Sequence, residues 1–419
     1  MFAVRARLLF LSILPGLAGI WFCLGRAGGV PSGIQANNTS PSSFAYQDLR
    51  IPMPEAGEEG LHAFLVRPNG AGPHPLVLIN HGTPRDPAER RTFLPQRMLP
   101  MAMEFARRGW AAVILIRRGY GDSGGPFAED NGRCSHPDYT RSAEEAVRDF
   151  HAALAFLSQR PEIDSHRVLA VGVSAGGFAT VALTANPPPG LLAAISFAGG
   201  TGSAAKDMVC RPNLLVESFR HFGKNSRVPM LWVYSANDHY FSPFMAQRLH
   251  EAFTEAGGRA EFIVAPPFGD DGHLLFNFDG IPVWTGYVDR FLKNQGLTLR
   301  TELLPLPLPK IALPPELSED GKRAFEKYLT LPAFKAFALS PEGAYGYQYE
   351  GRTLEEAKAA ALDWCQQNAY NHECRIAMVN DSPVEQKVSQ SVKPPRTGAP
   401  QNPGYMGQNR AISPFAKIE

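Results

Sequence analysis

The segment DSHRVLAVGVSAGG, residues 164–177, joins an apolar run directly to a serine set between glycines. The run Val168–Val171 is continuously apolar, as expected for a strand buried on both faces of a parallel sheet, and a helical pattern follows the serine. A sharp turn between strand and helix forces unusual backbone angles on Ser174, and Gly172 and Gly176 leave room for the neighbouring chain. The segment therefore predicts an α/β fold in which the Ser174 hydroxyl lies above a helix N-terminus.

Other apolar runs lie on both sides of this segment and alternate with helical patterns at 141–158, 244–256 and 282–294. The alternation predicts a doubly wound, mostly parallel α/β sheet within a domain at 28–296. In such sheets ligands bind at the carboxyl ends of the strands, so the residues after each run are the candidates for chemistry. The predicted strands are Leu76–Asn80, Ala111–Arg117, Val168–Val173, Ala193–Phe197, Met230–Tyr234 and Phe262–Ala265.

A serine hydroxyl is a weak nucleophile that needs a base, and the base needs an orienting acid. Asp238 follows the fifth predicted strand and His273 follows the sixth, so a serine, an acid and a histidine stand in that order at three strand ends. This is the order expected for a nucleophile at such a strand–turn–helix junction. We therefore predict Ser174 as nucleophile, His273 as base and Asp238 as orienting acid. Asp270 and Asp271, close to the histidine, are the alternative acids.

The tetrahedral intermediate of acyl transfer carries an oxyanion, which backbone N–H donors stabilise. One donor is predicted at Ala175, directly after the nucleophile, and the other in the loop HGTP, residues 81–84, after the first predicted strand. Within that loop the donor is Thr83 or Gly82. His81 is expected to pack the loop rather than to act in catalysis.

A second Gly-x-Ser-x-Gly pattern, GDSGG at residues 121–125, is similar to the nucleophile motif of trypsin-like proteases. Those proteases are all-β proteins whose catalytic residues occur in the order His, Asp, Ser. Here the pattern follows a buried strand of an α/β domain and leads into a loop. It is predicted to be a glycine-rich turn.

Charge and composition argue against a nucleic-acid-binding protein. The chain has 41 Lys and Arg against 40 Asp and Glu in 419 residues, without the positive excess that a nucleic-acid binder needs. Hydrophobic residues make up 44%, which is enough for a sizeable core. The chain has 37 prolines, and two stretches are rich in them. Five fall late in LTLRTELLPLPLPKIALPP, residues 297–315, which predicts an extended linker or surface strap. Six more lie in a polar stretch at 382–419 that is predicted to be a disordered tail.

Residues 1–27 are typical of a targeting segment. Arg5 and Arg7 precede the apolar stretch Leu8–Leu24, and small residues suited to a cleavage site follow it. The pattern predicts a cleaved signal peptide; the alternative is an anchor helix, since about 17 apolar residues is near the lower limit for spanning a bilayer. Either way the chain is predicted to be exported, to the periplasm or the medium.

Removal of that segment leaves four cysteines, Cys134, Cys210, Cys365 and Cys374. An even number in an exported chain predicts two disulfides, with three possible connectivities. We favour Cys365–Cys374, which are local in sequence, together with Cys134–Cys210. The second bond is expected to join two loops over the site and to make the pocket less mobile.

Residues 316–381 regain periodicity and predict a small α+β domain. The stretch TLEEAKAAALDWC, residues 353–365, is an amphipathic helix with Thr353 as N-cap and Glu356 in the capping-box position. Segments with strand character precede and follow it. The unit is similar to small strand–helix–strand domains of exported bacterial proteins, and the resemblance implies a binding or stabilising role, including toward an envelope partner.

Five segments carry a family pattern: VLINHGTP (77–84), RRGYGDSGG (117–125), DSHRVLAVGVSAGG (164–177), LWVYSAND (231–238) and GDDGH (269–273). Together they resemble the α/β-hydrolase superfamily over residues 60–294, with most similarity to the dienelactone-hydrolase-like and prolyl-oligopeptidase-like branches. Dienelactone hydrolases use a cysteine nucleophile where this chain has Ser174, so their lactone substrate is not carried over. Prolyl oligopeptidases carry an N-terminal propeller, which the short stretch before residue 60 cannot form.

The resemblance implies a serine esterase that acts on a small substrate through an acyl-enzyme, with no metal or organic cofactor. The alternative is an acyl-peptidase or aminopeptidase-like enzyme acting on short peptides, which needs a charged group to hold a peptide terminus. A third hypothesis is a catalytically silent envelope protein that binds glycan or protein through residues 316–419.

Overall fold

The structure, a computed structural model, describes residues 43–384 except 308, 332, 350–352 and 370–371. The predicted targeting segment at 1–27 lies outside the described residues, as does the predicted tail beyond residue 384. None of the helices in the described part combines the length and hydrophobicity needed to cross a membrane.

A mostly parallel sheet of eight strands forms the centre of the larger domain, and a short hairpin, β7 and β8, lies apart from it. The strands are β1 (Phe44–Ile51), β2 (Leu61–Pro68), β3 (His74–Asn80), β4 (Ala111–Leu115), β5 (Ile163–Val173), β6 (Leu191–Phe197), β7 (Ser203–Ala205), β8 (Met208–Val209), β9 (Met230–Ser235) and β10 (Ala260–Ala265). The sheet order is β1-β2-β4-β3-β5-β6-β9-β10. Strand β2 runs antiparallel to both β1 and β4, and the other neighbouring pairs of this sheet are parallel.

The doubly wound α/β fold is confirmed, and all six predicted strands are present. Strand β3 shows why they were recognisable: Leu76 and Leu78 pack into the core on one face of the sheet, while Val77 and Ile79 pack into the core on the other. Strands β1 and β2 were not predicted. They form the antiparallel edge, and β1 exposes most of its central residues, so it lacks a continuous apolar run.

Helices cover both faces of the sheet. One core lies between the sheet and α2 to α5, and the other lies between the sheet, α1 and α6. Helix α2 begins where the Asp138 carboxylate accepts a hydrogen bond from the Arg141 N–H at 3.1 Å. The sequence did not predict α1 and α4. The helices are α1 (Leu99–Arg107), α2 (Tyr139–Leu157), α3 (Ala175–Leu183), α4 (Pro212–Gly223), α5 (Pro243–Glu255) and α6 (Ile281–Asn294), with short 3-10 helices at Pro54–Ala56, Pro87–Thr92, Pro95–Met98 and Gly272–Leu275.

The proline-rich segment that follows α6 runs along the surface of the larger domain. The Leu304 N–H donates to the Arg107 carbonyl at 3.0 Å, and the Arg107 Nε donates back to the Leu304 carbonyl at 2.8 Å. Leu299 and Leu304 also pack against the core on the α1 side. The segment is therefore held against the end of α1 by these two hydrogen bonds.

The C-terminal unit is a four-stranded antiparallel sheet between two helices. Its elements are α7 (Glu319–Thr330), β11 (Ala336–Leu339), β12 (Tyr345–Gln348), α8 (Leu354–Asn368), β13 (Arg375–Val379) and β14 (Ser382–Pro383), in the sheet order β12-β11-β13-β14. In β11, Ala336 and Ala338 belong to the core beneath α8, and Phe337 and Leu339 to the core beneath α7. The Thr353 hydroxyl accepts a hydrogen bond from the Glu356 N–H at 3.1 Å and caps α8. The sequence predicted α8 with its flanking strands but not α7.

Both favoured disulfides are formed, Cys134–Cys210 and Cys365–Cys374. The first joins the loop before α2 to the residue that follows β8, and the second joins α8 to the residue that precedes β13. Disulfides are typical of proteins outside the reducing cytosol.

Candidate active site

Ser174 stands between β5 and α3 in a strained backbone conformation, with φ 55° and ψ −123°. Two glycines make this turn possible. A Cβ added to Gly172 would lie 2.2 Å from the Gly176 carbonyl oxygen, and one added to Gly176 would lie 2.3 Å from the His81 carbonyl oxygen. The turn is thus closed to larger residues, and it raises the Ser174 side chain above the first turn of α3, whose N–H groups have no partner within the helix.

Asp238 and His273 meet at the ends of β9 and β10. The His273 Nδ1 atom lies 3.1 Å from Oδ2 and 3.2 Å from Oδ1 of Asp238. Since an ionised carboxylate only accepts hydrogen bonds, this contact keeps the proton on Nδ1 and leaves Nε2 free to accept one. The Asp238 Oδ1 atom is itself fixed by the N–H groups of Tyr240 at 2.7 Å and Phe241 at 2.9 Å.

The carboxylates of Asp270 and Asp271, the alternative acids, do not contact the His273 ring. The Asp271 Oδ1 atom accepts hydrogen bonds from the N–H groups of His273 and His239, both at 3.0 Å, and so caps the 3-10 helix that carries His273. Asp270 is exposed on the loop. Of the three acids considered, Asp238 is the one whose carboxylate contacts the His273 ring.

The loop with Gly82 and Thr83 lies directly against Ser174. A Cβ added to Gly82 would lie 3.0 Å from the Ser174 Cβ and 3.6 Å from its Oγ. The Thr83 hydroxyl is 2.6 Å from the Tyr120 hydroxyl, which fixes the loop from the other side. Ala175 is the first residue of α3. The predicted donors are therefore grouped around the serine.

His81 anchors this loop from within the core, as expected. Its Nε2 accepts a hydrogen bond from the Arg117 N–H at 3.2 Å, and its carbonyl accepts one from the Arg117 Nη1 at 2.7 Å. Complete burial and the nearby Arg117 guanidinium hold the pKa of His81 well below its usual value. Arg117 in turn forms a buried ion pair with Glu129, which the sequence did not predict.

The GDSGG pattern is a turn, as predicted. The Ser123 hydroxyl donates to the Ile116 carbonyl at 2.5 Å and accepts from the His62 N–H at 2.8 Å, so it is committed within the turn. A Cβ added to Gly121, at φ 46°, would lie 2.2 Å from the Phe93 carbonyl oxygen.

Two cavities meet at Ser174, and Thr83 and Tyr240 border both of them. One, of about 200 Å³, also contains His273 and is lined mainly by apolar side chains, namely Phe93, Met101, Val173, Leu274 and Phe276. The other, of about 170 Å³, is mostly polar and is lined by Arg85, Arg90, Glu129, Asp130 and Asn131 among others. The serine thus has an apolar space on one side and a polar space on the other.

Comparison with known proteins finds similarity to part of this chain. A sequence model of the X-Pro dipeptidyl-peptidase (S15 family) matches residues 58–219, a stretch that contains Ser174 and ends before Asp238 and His273. The quorum-quenching protein AidA of Acinetobacter baumannii (strain MDR-ZJ06) is 28% identical over 150 residues, which are 36% of this chain and 43% of that protein. The match therefore spans less than half the length of this curated relative.

Two solved structures are similar to part of this chain at low identity. The acetyl xylan esterase from Paenibacillus sp. R4 is 17% identical with a TM-score of 0.44, covering 62% of this chain and 86% of that one. The acylaminoacyl peptidase of Pyrococcus horikoshii is 18% identical with a TM-score of 0.45, covering 63% of this chain and 44% of that one.

The features typical of an α/β-hydrolase fold occur together in the larger domain. They are the sheet order with β2 as its antiparallel strand, the strained Ser174 between β5 and α3, and the Asp238–His273 pair after the last two strands of the sheet. The resemblance found in the sequence is confirmed by this arrangement and by the family match over 58–219. The larger domain of this chain has the α/β-hydrolase fold.

Proposed function

We propose that this protein is an exported serine hydrolase that cleaves carboxylic esters through an acyl-enzyme. One observation carries the proposal: Ser174, held at φ 55° above the start of α3, borders the same apolar cavity as the His273 ring, whose Nδ1 is held by Asp238. A nucleophile, a base and an orienting acid are the minimum set for this chemistry.

The reaction begins when the Ser174 Oγ bonds to the ester carbonyl carbon and its proton passes to the His273 Nε2. The carbonyl oxygen becomes an oxyanion, which the N–H groups of Ala175 and of Thr83 or Gly82 stabilise. Each such donor contributes about 2.7–4 kcal/mol to transition-state stabilisation. Collapse of the intermediate breaks the ester C–O bond, and the imidazolium returns its proton to the departing alcohol.

Water completes the turnover by the same route. It loses a proton to the His273 Nε2 as its oxygen attacks the acyl carbon, and the Ser174 oxygen then leaves and regains that proton. Asp238 stabilises the imidazolium in both half-reactions without itself becoming protonated.

The two cavities support a small acyl group and a more polar alcohol. The apolar cavity of about 200 Å³, with Met101 and Phe276 in its wall, has room for a short acyl chain. The polar cavity of about 170 Å³ offers hydrogen-bonding groups to the leaving alcohol.

A peptidase activity is the second candidate, favoured by the X-Pro dipeptidyl-peptidase match and by acidic groups in the polar cavity. A peptide amino terminus needs an anionic partner. Glu129 is already paired with Arg117, so its charge is neutralised. Asp130 is the exposed carboxylate in that cavity and is the group that would bind an amine.

The two activities are separated by comparing p-nitrophenyl acetate and butyrate with aminoacyl and Gly-Pro p-nitroanilides, each with wild type and Asp130→Asn. We expect ester turnover that is lost in Ser174→Ala and unchanged in Asp130→Asn. Anilide turnover that exceeds ester turnover and falls in Asp130→Asn would establish the peptidase instead.

Export is supported by the targeting pattern at residues 1–27 and by the two disulfides. N-terminal sequencing of the mature protein, with fractionation of the producing cells, tests it. A mature chain that starts near residue 28 in the periplasm or medium is expected, and an uncut chain in the reducing cytosol would contradict export.

A further inference from the structure

The Tyr240 ring lies flat against the His273 ring. The two ring centroids are 3.9 Å apart and the planes are inclined by 11°. Tyr240 also donates its backbone N–H to the Asp238 Oδ1 at 2.7 Å. One residue therefore holds both members of the Asp238–His273 pair, the acid by its backbone and the imidazole by its ring.

The Arg85 guanidinium lies over the same tyrosine, with its Cζ atom 3.5 Å from the ring centroid. Two groups cannot share one ring face at such short distances, so Tyr240 is sandwiched between Arg85 and His273. We call Arg85, Tyr240 and His273 the stack.

Arg85 is itself fixed by the β7–β8 hairpin. Its Nη2 donates to the Ser203 Oγ at 2.8 Å and to the Ala205 carbonyl at 3.1 Å. The His239 carbonyl, outside the hairpin, lies 3.4 Å from the same nitrogen. The guanidinium is therefore held in one place although its residue is exposed, and it closes the outer face of the Tyr240 ring.

We propose that Tyr240, held in place by Arg85, is a positioning residue that fixes the plane of the His273 imidazole. The proposal rests on the proposed function. The His273 imidazole must keep its Nδ1 on Asp238 while its Nε2 accepts the proton of the Ser174 hydroxyl. The Asp238 contact lies along one edge of the ring, so by itself it leaves the imidazole plane free to tilt. A flat aromatic partner on one face restricts that tilt, and such ring contacts are worth enough to alter a rate about 10-fold.

The kinetic test uses ring variants of Tyr240 and p-nitrophenyl acetate, a substrate too small to need the walls of both cavities. Tyr240→Phe keeps the stack and should retain wild-type kcat within about 2-fold, because phenyl and phenol faces are alike. Tyr240→Leu removes the flat face and should lower kcat about 10-fold with little change in KM. Phe244→Leu, at an exposed aromatic residue of α5, is the matched control and should leave kcat unchanged.

Arg85 acts through Tyr240 if the stack is the mechanism. Arg85→Met should lower kcat about 3-fold in the wild-type background and have no effect in the Tyr240→Leu background. Equal losses in both backgrounds would show that Arg85 acts independently and would overturn its role in the stack.

A spectroscopic measurement separates the stack from catalysis. The His273 ring protons, assigned with His273→Gln, should be shifted upfield by the Tyr240 ring current in wild type and Tyr240→Phe but not in Tyr240→Leu. An active enzyme whose kcat and ring-proton shifts are unchanged in Tyr240→Leu would overturn the positioning role alone. A wild type that shows the shift but no Ser174-dependent ester turnover would overturn the proposed function, and the positioning role with it.

Discussion

The His273 Nδ1 lies 3.1 Å from the Asp238 Oδ2, although the two residues are 35 apart in the chain. Strands β9 and β10 are adjacent and parallel, so the loops at their carboxyl ends bring the two side chains together. The contact decides which imidazole nitrogen carries the proton, and catalysis should depend on it.

Asp238→Asn should lower kcat by about 10⁴-fold, because an amide that donates to Nδ1 moves the proton to Nε2 and removes the base. Steady-state hydrolysis of a p-nitrophenyl ester measures the loss. Asp270→Asn, at the exposed alternative acid, is the control and should retain wild-type activity. The reverse pattern would move the orienting role to Asp270.

Gly172→Ala should unfold or distort the turn at Ser174, since the new Cβ would lie 2.2 Å from the Gly176 carbonyl oxygen and 2.6 Å from the Thr180 Oγ1. Overpacking of this kind lowers the free energy of unfolding by about 1–3 kcal/mol. Chemical denaturation measures the change, and ester turnover should fall with it.

Gly286→Ala is the matched control for that substitution. Gly286 lies within α6, and nothing stands within 4 Å of an added Cβ there. The free energy of unfolding should rise by about 0.5–1 kcal/mol, because alanine costs less backbone entropy in a helix. Equal effects of the two glycine substitutions would refute the steric argument for the turn.

The Cys134–Cys210 bond should stabilise the wall of the site. It spans 76 residues, and Cys210 follows the hairpin that holds Arg85. Replacement of both cysteines by serine should lower the free energy of unfolding by about 2–5 kcal/mol and also reduce kcat, since the hairpin loses its covalent tie.

Replacement of Cys365 and Cys374 by serine provides the comparison for that bond. This disulfide spans 9 residues of the C-terminal unit, so it constrains the unfolded chain less. Its loss should lower the free energy of unfolding by a smaller amount and leave kcat unchanged. A kcat that falls equally in both variants would contradict a local role for the Cys134–Cys210 bond.

Stability should depend on pH through His81. Burial and Arg117 hold its pKa well below the usual value in the folded protein, whereas in the unfolded chain the imidazole takes up a proton near pH 6.5. Below about pH 6.5 the unfolded state therefore binds more protons, and the free energy of unfolding falls by up to about 1.4 kcal/mol per pH unit. Above that pH the contribution is constant.

Denaturation of His81→Asn across pH 5 to 8 checks this dependence. The variant should show a flatter profile below about pH 6.5, because the titrating ring is gone. His166→Asn, at an exposed histidine, should keep the wild-type slope. An unchanged slope in His81→Asn would show that another group carries the dependence.

The sequence was sufficient for the features that depend on local pattern. Strands buried on both faces are visible as apolar runs, and the strand ends that they define include Ser174, Asp238 and His273, which the structure brings to one site. Edge strand β1 was not predicted because its exposed residues interrupt the apolar run.

The side-chain contacts that the sequence did not predict are made between loop residues. Arg85 lies over the ring of Tyr240, which is 155 positions later in the chain, and Arg117 forms an ion pair with Glu129 inside the core. No local sequence pattern predicts either contact. Each contact depends on where a loop folds back over the sheet, which periodicity does not encode.

The central claim is that Ser174 is the nucleophile, and labelling with a fluorophosphonate probe tests it most directly, since the probe forms a covalent bond only with an activated serine. Wild type and Ser123→Ala, which alters the other Gly-x-Ser-x-Gly pattern, should be labelled alike, with the modified peptide containing Ser174. Ser174→Ala should take no label. Labelling that persists in Ser174→Ala, or that disappears in Ser123→Ala while that variant stays folded, would contradict the account.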